Sequence, residues 1–189
     1  MTKITAVEIE VLFPQLAKVK DKELVKKACH IWVEAFEKSS WERIEDPQFA
    51  IRAQNVPLVK HTENVTDNSL LCAENMIKKY GYKVDLDVLI ISAVLHDVCK
   101  LEENIIGEGR PGISEKSDLG KIYQHGFLSG FYTEKYGLPK EITALVVAHS
   151  GQSKVIPKCL EGLILIYADL LDADMHCLEA GTTLCMELD

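Results

Sequence analysis

The 189-residue sequence lacks any uninterrupted apolar stretch of the roughly 18 residues that a membrane-spanning helix needs. Acidic residues interrupt its first apolar residues too early for a secretory signal peptide. It also lacks a long basic run, and its formal net charge is -8. A nucleic-acid partner is therefore not expected, because neutralising a phosphate backbone requires clustered lysine and arginine. These absences favour a cytoplasmic protein with neither a membrane nor a nucleic-acid partner.

Paired cysteine motifs are also missing. The six cysteines are scattered, with no C-x-x-C pair, and several fall on apolar helical faces. A reduced cysteine on such a face behaves as a small hydrophobic residue. We interpret all six as free thiols in a reducing compartment.

The hydrophobic pattern predicts an all-α fold. The chain is 47% hydrophobic and 26% charged, which is typical of one globular domain with a sizeable core. Asp21 to Lys38 shows the clearest amphipathic period. Thr5 to Phe13 fits a strand or a short helix, and we favour the helix because the rest of the chain is helical. We expect a single-domain bundle of about seven helices.

Four further segments are assigned as follows. Trp41 to Pro57 is interpreted as a short helix between loops, because prolines interrupt it. Leu101 to Asp118 is rich in glycine and proline and is expected to be a long loop, of the kind that often forms a lid or binding segment. Leu119 to Tyr136 is expected to be one helix. Lys158 to about Leu178 should be a central helix, because its middle part, Leu163 to Leu171, is apolar nearly all round.

An apolar run, Leu89 to Lys100, contains a histidine and an aspartate side by side, His96 and Asp97. Burying both without partners would cost several kcal/mol. A bound cation would compensate, because imidazole nitrogen and carboxylate oxygen are good ligands for divalent transition metals. If the helix continues, Lys100 shares a flank with both residues. The alternative is a hydrogen-bonded core histidine and an aspartate paired with Lys100.

Four other polar residues lie in largely apolar, helical context: His61, His125, His149 and Asp169. Each one alone is more typical of a satisfied core residue than of a ligand. Together they are spread over separate helices, which a bundle can bring to one point. The combination therefore predicts a metal site between helices.

The order of these residues resembles the HD-domain superfamily of metal-dependent phosphohydrolases, over about Val56 to Asp174. The resemblance rests on the segments His61-Thr62-Glu63-Asn64-Val65, Leu95-His96-Asp97-Val98-Cys99-Lys100 and Tyr167-Ala168-Asp169-Leu170-Leu171-Asp172-Ala173. His125 and His149 are similar to the added histidines of the subset that binds two metals. The resemblance implies an all-α fold with the site between helices. It divides the chain into an N-terminal helical extension packed on the core (1–55), an HD domain (56–178) and a tail (179–189).

The resemblance also implies two metal sites. One ion would be bound by His61, His96, Asp97 and Asp169, and a second by Asp97, His125 and His149. The metal would be one or two divalent ions of Fe, Mn, Ni, Co, Zn or Mg.

The chemistry of the residues agrees with this division. An aspartate has two oxygens and can bridge two ions, and two ions about 3.5–4 Å apart can hold a hydroxide and clamp a phosphoryl oxygen. Lys100 would then bind a substrate phosphate as a point charge. We therefore predict hydrolysis of a small phosphate ester by metal-activated hydroxide, with Asp97 and Lys100 as catalytic residues and a small phosphorylated molecule as partner.

Two other functions stay open. The same ligand pattern resembles the mixed-valent di-iron oxygenases of this superfamily. A non-catalytic module that uses metal for stability or nucleotide sensing is the other alternative. The substrates of two better-defined branches are not transferred, because the chain has no Gly-Tyr-Pro signature and has Val98-Cys99-Lys100 where the alarmone hydrolases have acids.

Further polar residues could assist the site. Asp172 could orient a metal ligand by hydrogen bonding, whereas His176 is expected to be a surface or structural residue. Four cations in the flanking loops could contact phosphate, although each is more typical of a solvated charge: Arg110, Lys116, Lys154 and Lys158.

Overall fold

The computed structural model describes residues 4–110, 113–150 and 153–187. Within these ranges the chain forms eight α-helices and one two-stranded antiparallel sheet, so the predicted all-α class is confirmed. The elements are α1 (Ala6–Leu12), α2 (Lys22–Lys38), α3 (Leu58–Tyr80), α4 (Leu86–Leu95), α5 (Lys100–Glu103), β1 (Asn104–Ile106), β2 (Ser114–Lys116), α6 (His125–Lys135), α7 (Lys140–Ala148) and α8 (Leu160–Glu179).

Local sequence signals explain several helix ends. Thr5 and Glu8 form a reciprocal capping box at the start of α1, which confirms a helix there rather than a strand. Asp21 and Asp85 accept hydrogen bonds from backbone N–H groups in the first turns of α2 and α4. Gly81 ends α3 with a φ of 69°, a conformation that glycine adopts at little cost.

Helix α4 is the centre of the fold. All residues from Leu89 to Leu95 are buried, and the helix packs against α2, α3, α7 and α8. The prediction that the last long helix is central was wrong in this respect, because α8 exposes one apolar side that includes Tyr167 and Leu171. The most completely buried helix is thus the one that ends immediately before His96.

The N-terminal helices belong to the same core. The Trp32 indole N–H on α2 donates a hydrogen bond of 2.9 Å to the carbonyl oxygen of Val94 on α4. The rings of Phe13 and Trp32 lie 5.0 Å apart between centroids. Because Trp32 is fully buried, its only polar group needs this internal partner.

The short helix predicted between Trp41 and Pro57 is absent. This described segment is irregular and contains one isolated antiparallel bridge, between Gln48 and Pro57. Tertiary packing determines its path, because Trp41 and Phe49 are both buried. The Trp41 indole N–H donates to two backbone carbonyl oxygens, those of Leu101 and Asn104.

The prediction that Leu101 to Asp118 forms a long loop was also wrong. This segment contains most of α5 and the hairpin of β1 and β2, in which Asn104 pairs with Lys116. Pro111 and Gly112, two of the residues that suggested a loop, lie outside the described residues. The next helix, α6, begins at His125 rather than at Leu119.

No described helix is both long enough and apolar enough to cross a membrane. The most apolar helix, α4, has only 10 residues. Helix α7 ends at Ala148, and His149 is its C-cap residue.

Candidate metal centre

The six predicted metal ligands lie together between the helices. Ligand atoms of His61, His96, Asp97 and Asp169 all lie within 4.8 Å of one another, and we call these residues the first ligand group. Asp97, His125 and His149 meet the same criterion and form the second ligand group. Asp97 belongs to both.

Each ligand lies near a helix end or inside a packed helix. His61 is in the first turns of α3, and Asp169 is in the middle of α8. His125 is the first residue of α6, whereas His149 directly follows α7. All four side chains therefore reach the space beyond the C-terminal end of α4.

The turn after α4 positions the central pair. The helix ends at Leu95, and α5 begins at Lys100, so α4 does not continue to Lys100. Lys100 still reaches Asp97, because the intervening turn brings its Nζ within 2.6 Å of Asp97 Oδ2.

The two carboxylate oxygens of Asp97 face different histidines. Oδ2 lies 3.3 Å from His61 Nε2 and 3.5 Å from His96 Nε2. Oδ1 lies 3.1 Å from His125 Nε2 and 3.4 Å from His149 Nε2. One carboxylate thus contributes one oxygen to each ligand group, as a bridging ligand must.

Asp169 completes the first ligand group. Its Oδ1 lies 3.2 Å from His61 Nε2 and 3.7 Å from His96 Nε2. The Asp169 side chain is 14% exposed, whereas those of His61 and His96 are fully buried. Solvent therefore reaches this group from the side of α8.

Two of the histidines are oriented by backbone carbonyl groups. His96 Nδ1 lies 2.6 Å from the carbonyl oxygen of Ala93, and His149 Nδ1 lies 2.6 Å from that of Val146. A carbonyl oxygen only accepts hydrogen bonds, so the proton is on Nδ1 in each ring. In the neutral rings both Nε2 atoms therefore carry a free lone pair.

The other two histidines are oriented by carboxylates. His61 Nδ1 lies 2.6 Å from Asp172 Oδ2, and Asn64 donates a further hydrogen bond to Asp172. His125 Nδ1 lies 3.2 Å from Glu103 Oε2. Hydrogen bonds of this kind fix the tautomer of a metal ligand and increase its basicity. This geometry agrees with the prediction that Asp172 orients a metal ligand. The corresponding position of Glu103 beside His125 was not predicted from the sequence.

The donor atoms fit divalent metal ions. The Nε2 atoms of His61 and His96 face each other at 3.3 Å, as do those of His125 and His149. Facing lone pairs repel unless a cation or a proton lies between them. Both oxygens of Asp97 are buried, and Oδ2 is paired with Lys100, but among the described residues neither oxygen has a further hydrogen-bond donor outside the candidate ligands. Imidazole and carboxylate donors of this kind suit Zn, Mn or Fe.

Protons compete with a metal for these nitrogens. Burial lowers the pKa of His61, but hydrogen bonds to the surrounding carboxylates, Asp169 first among them, outweigh it and raise the pKa to about 10. For His96 burial dominates and lowers the pKa to about 4. A metal requires the unprotonated nitrogen, so binding at His61 releases a proton and is opposed by acid.

Lys100 is the cation nearest to the cluster. Burial lowers its pKa, but the adjacent Asp97 carboxylate outweighs burial and raises it, so the side chain is charged. Its Nζ also lies 5.4 Å from the centroid of the Phe49 ring. The same ring stacks on His61 at 4.4 Å, so Phe49 forms an apolar wall beside both residues.

The four loop cations suggested for phosphate binding are placed differently. Lys116 Nζ is paired with Glu103 Oε2 at 2.6 Å, and Arg110 is paired with Glu108. Lys158 is exposed. Only Lys154 lines a described cavity that touches a candidate ligand.

That cavity has a volume of about 350 Å³ and is bordered by His149 and Ser150. Its other walls are mainly apolar and include Ile156, Leu163, Tyr167 and Leu170. A pocket of this size and composition can enclose the organic part of a small ligand.

The fold and the site define an all-α protein with histidines and aspartates clustered between its core helices. The HD domain family matches residues 58–174, which is more than half of the chain, and the chain belongs to this family. HD domains bind divalent metals, in agreement with the two ligand groups.

One curated relative is the dihydroneopterin 2',3'-cyclic phosphate phosphodiesterase of Methanocaldococcus jannaschii. It is 31% identical over 120 residues, which are 63% of this chain and 47% of the relative. The chain therefore spans about half the length of this protein. No solved structure matches the chain.

Proposed function

We propose that the protein is a metal-dependent phosphoric ester hydrolase whose reaction takes place at the two ligand groups. The observation that carries this proposal is the orientation of Asp97, with one oxygen toward His61 and His96 and the other toward His125 and His149. Family membership and the phosphodiesterase relative support the same reaction class.

The residues divide the binding of two ions between them. His61, His96, Asp97 and Asp169 would hold the first ion, and Asp97, His125 and His149 the second. When bound, two divalent ions lower the pKa of water and polarise a phosphoryl oxygen. Asp172 and Glu103 keep the His61 and His125 rings in the orientation that this binding requires.

The charge of the site favours an anionic substrate once two ions are bound. Within the cluster, four carboxylates face two lysines, which leaves two negative charges when the histidines are neutral: Asp97, Asp169, Asp172 and Glu103 against Lys100 and Lys116. Two divalent ions would convert this excess into two positive charges. A phosphate ester then gains attraction at a site where water is largely excluded.

Lys100 would bind the substrate phosphate. Its Nζ is beside the bridging Asp97 and is held over the Phe49 ring, and its side chain is 14% exposed. A lysine in this position supplies a mobile positive charge that can contact a phosphoryl oxygen.

The organic part of the substrate would occupy the cavity beside His149. The cavity walls are mainly apolar, and Lys154 is the cation among the residues that line it. The relative from M. jannaschii is named for a cyclic phosphodiester, so small cyclic phosphodiesters are the first substrates to examine.

The proposed catalytic unit corresponds to residues 56–178. Residues 1–55 would form an extension that supports it, because Trp32 and Trp41 bond to backbone groups of α4, α5 and β1. Residues 179–189 would form a C-terminal tail.

Purified protein loaded separately with Mn²⁺, Fe²⁺, Co²⁺ and Zn²⁺ provides the test. We expect metal-dependent release of product from bis(p-nitrophenyl) phosphate or a 2',3'-cyclic nucleotide, and loss of that release in Asp97→Asn. Asp118→Asn is the matched control, because the Asp118 side chain is 97% exposed.

Two results would contradict the proposal. Consumption of oxygen by an iron-loaded protein, with no ester cleaved, would favour a di-iron oxygenase. A metal-dependent rise in melting temperature with no hydrolysis of any ester would favour a non-catalytic module.

A further inference from the structure

Glu103 is a buried acid next to the second ligand group. It is the last residue of α5 and is 2% exposed. Its Oε1 accepts a hydrogen bond of 3.0 Å from the backbone N–H of His125, and its Oε2 lies 3.2 Å from His125 Nδ1. Lys116 Nζ, on β2, lies 2.6 Å from the same Oε2. The carboxylate thus connects the hairpin to a candidate metal ligand.

The backbone around Glu103 is fixed by the hairpin and the turn that follows it. The N–H of Ser117 donates a hydrogen bond of 2.9 Å to the Glu103 carbonyl oxygen. Gly120 packs so closely that a Cβ at this position would lie 2.1 Å from that oxygen. A side chain at Gly120 would therefore displace the backbone of Glu103.

We propose that Glu103 and Lys116 are positioning residues that set the affinity of the second ligand group for its metal ion. Glu103 holds the His125 ring with Nε2 toward Asp97, and Lys116 offsets part of the negative charge that Glu103 brings to the site. This inference rests on the proposed binding of two ions.

The physical basis is the choice of tautomer. With an ionised Glu103, the proton of the neutral His125 ring lies on Nδ1, and Nε2 is free to bind a metal. An amide at this position would keep one acceptor for the His125 N–H, but its NH₂ group could meet Nδ1 and favour the tautomer that carries the proton on Nε2. That tautomer cannot bind a metal at Nε2.

Direct titration of the protein with Mn²⁺, followed by electron paramagnetic resonance, tests the proposal without any substrate. For the wild type we expect two ions per chain and a spin-coupled spectrum at full occupancy. In Glu103→Gln the second ion should bind about 10- to 100-fold more weakly, as is typical when the hydrogen-bond partner of a ligand is removed. The first ion should bind as in the wild type.

Two other variants distinguish positioning from a general structural effect. Glu115→Gln removes an acid of the same hairpin that is exposed, and it should leave both affinities unchanged. Lys116→Met should shift the affinity for the second ion in the opposite direction, to tighter binding, because the full charge of Glu103 then acts on the second ligand group.

Three results would overturn the proposal. In Glu103→Gln these are an equal loss of affinity for both ions, or an unchanged affinity for both. In Lys116→Met it is a lower affinity for the second ion. Binding of a single ion by the wild type would overturn it as well. Failure of the proposed hydrolysis is a separate outcome, since the titration measures metal binding alone.

Discussion

The two ligand groups share Asp97 but differ in composition and support. The first group contains two carboxylates and two histidines, and its ligands outside the α4 turn come from the long helices α3 and α8. The second group has the shared carboxylate and two histidines, which lie at the start of α6 and just beyond α7. If both groups bind ions as proposed, the additional carboxylate should make the first group bind its ion more tightly, and the second group should depend more on neighbouring residues.

The carboxylates that orient a histidine of each ligand group also lie in different parts of the chain. Asp172 is on α8, three residues after the ligand Asp169, so ligand and support are on one helix. Glu103 precedes the hairpin and forms an ion pair with Lys116. It is distant in sequence from α6, which carries the ligand His125. A change in the hairpin can therefore reach the second group without altering the first.

The largest effect is expected from replacing the residue that the groups share. Asp97→Asn should abolish the binding of both ions at micromolar metal and reduce ester hydrolysis to background, because the amide replaces one of the two bridging oxygens by an NH₂ group and removes the negative charge from the other. Metal analysis after gel filtration measures this directly. Retention of two ions with full activity would show that Asp97 is not a bridge.

The next pair of variants separates the groups. His125→Ala should lose the second ion and keep the first, whereas His96→Ala should weaken the first ion. Equilibrium dialysis against Mn²⁺ gives the number of ions bound by each protein. If His125→Ala binds as many ions as the wild type, the second ligand group is not a metal site.

A smaller effect is expected from replacing Asp172, which accepts a hydrogen bond from His61. Asp172→Asn should weaken the first ion about 10- to 100-fold, because the Nδ1–H of His61 loses its charged acceptor. Calorimetric titration with metal should show this change with no effect on the second ion. Asp174→Asn, two residues further along the same helix, is the control. If the second ion is bound more weakly instead, Asp172 orients a ligand of the second group rather than one of the first.

The smallest effect should come from Lys100. Lys100→Met keeps the length of the side chain but removes the charge, and we expect KM for a phosphate ester to rise about tenfold or more. Both ions should remain bound, since an ammonium group is not a ligand. Steady-state kinetics at saturating metal measure the change. A loss of metal with unchanged KM would assign Lys100 to the support of Asp97 alone.

The parts of the site that the sequence predicted share one property. His96, Asp97 and Asp169 are polar residues inside strongly apolar helical segments, so burial could be anticipated and partners inferred. His61, His125 and His149 were recognised by the same apolar helical context, and the resemblance to the HD-domain superfamily added only the division into two ligand groups. The structure brings all six residues together.

Glu103 and the hairpin were missed for the opposite reason. Glu103 is followed by Asn104 and preceded by Glu102, a pattern that is typical of a solvated turn. Its burial depends on contacts with His125 and Lys116, which are distant in sequence. A short helix and short strands also leave too few residues for a periodic pattern to be recognised.

The irregular segment from Trp41 to Pro57 illustrates the same limit. Its prolines suggested a short helix between loops, but Trp41 bonds to the backbone of α5 and β1, and Phe49 stacks on His61. These tertiary contacts outweigh local helix preference.

The central claim is that the six side chains bind two divalent ions on either side of Asp97. Crystals of the protein grown with Mn²⁺ and measured at the manganese absorption edge test it most directly. We expect two anomalous peaks, one bounded by His61, His96, Asp97 and Asp169, and one by Asp97, His125 and His149. No peak at Asp97, or peaks only at surface carboxylates, would contradict the account.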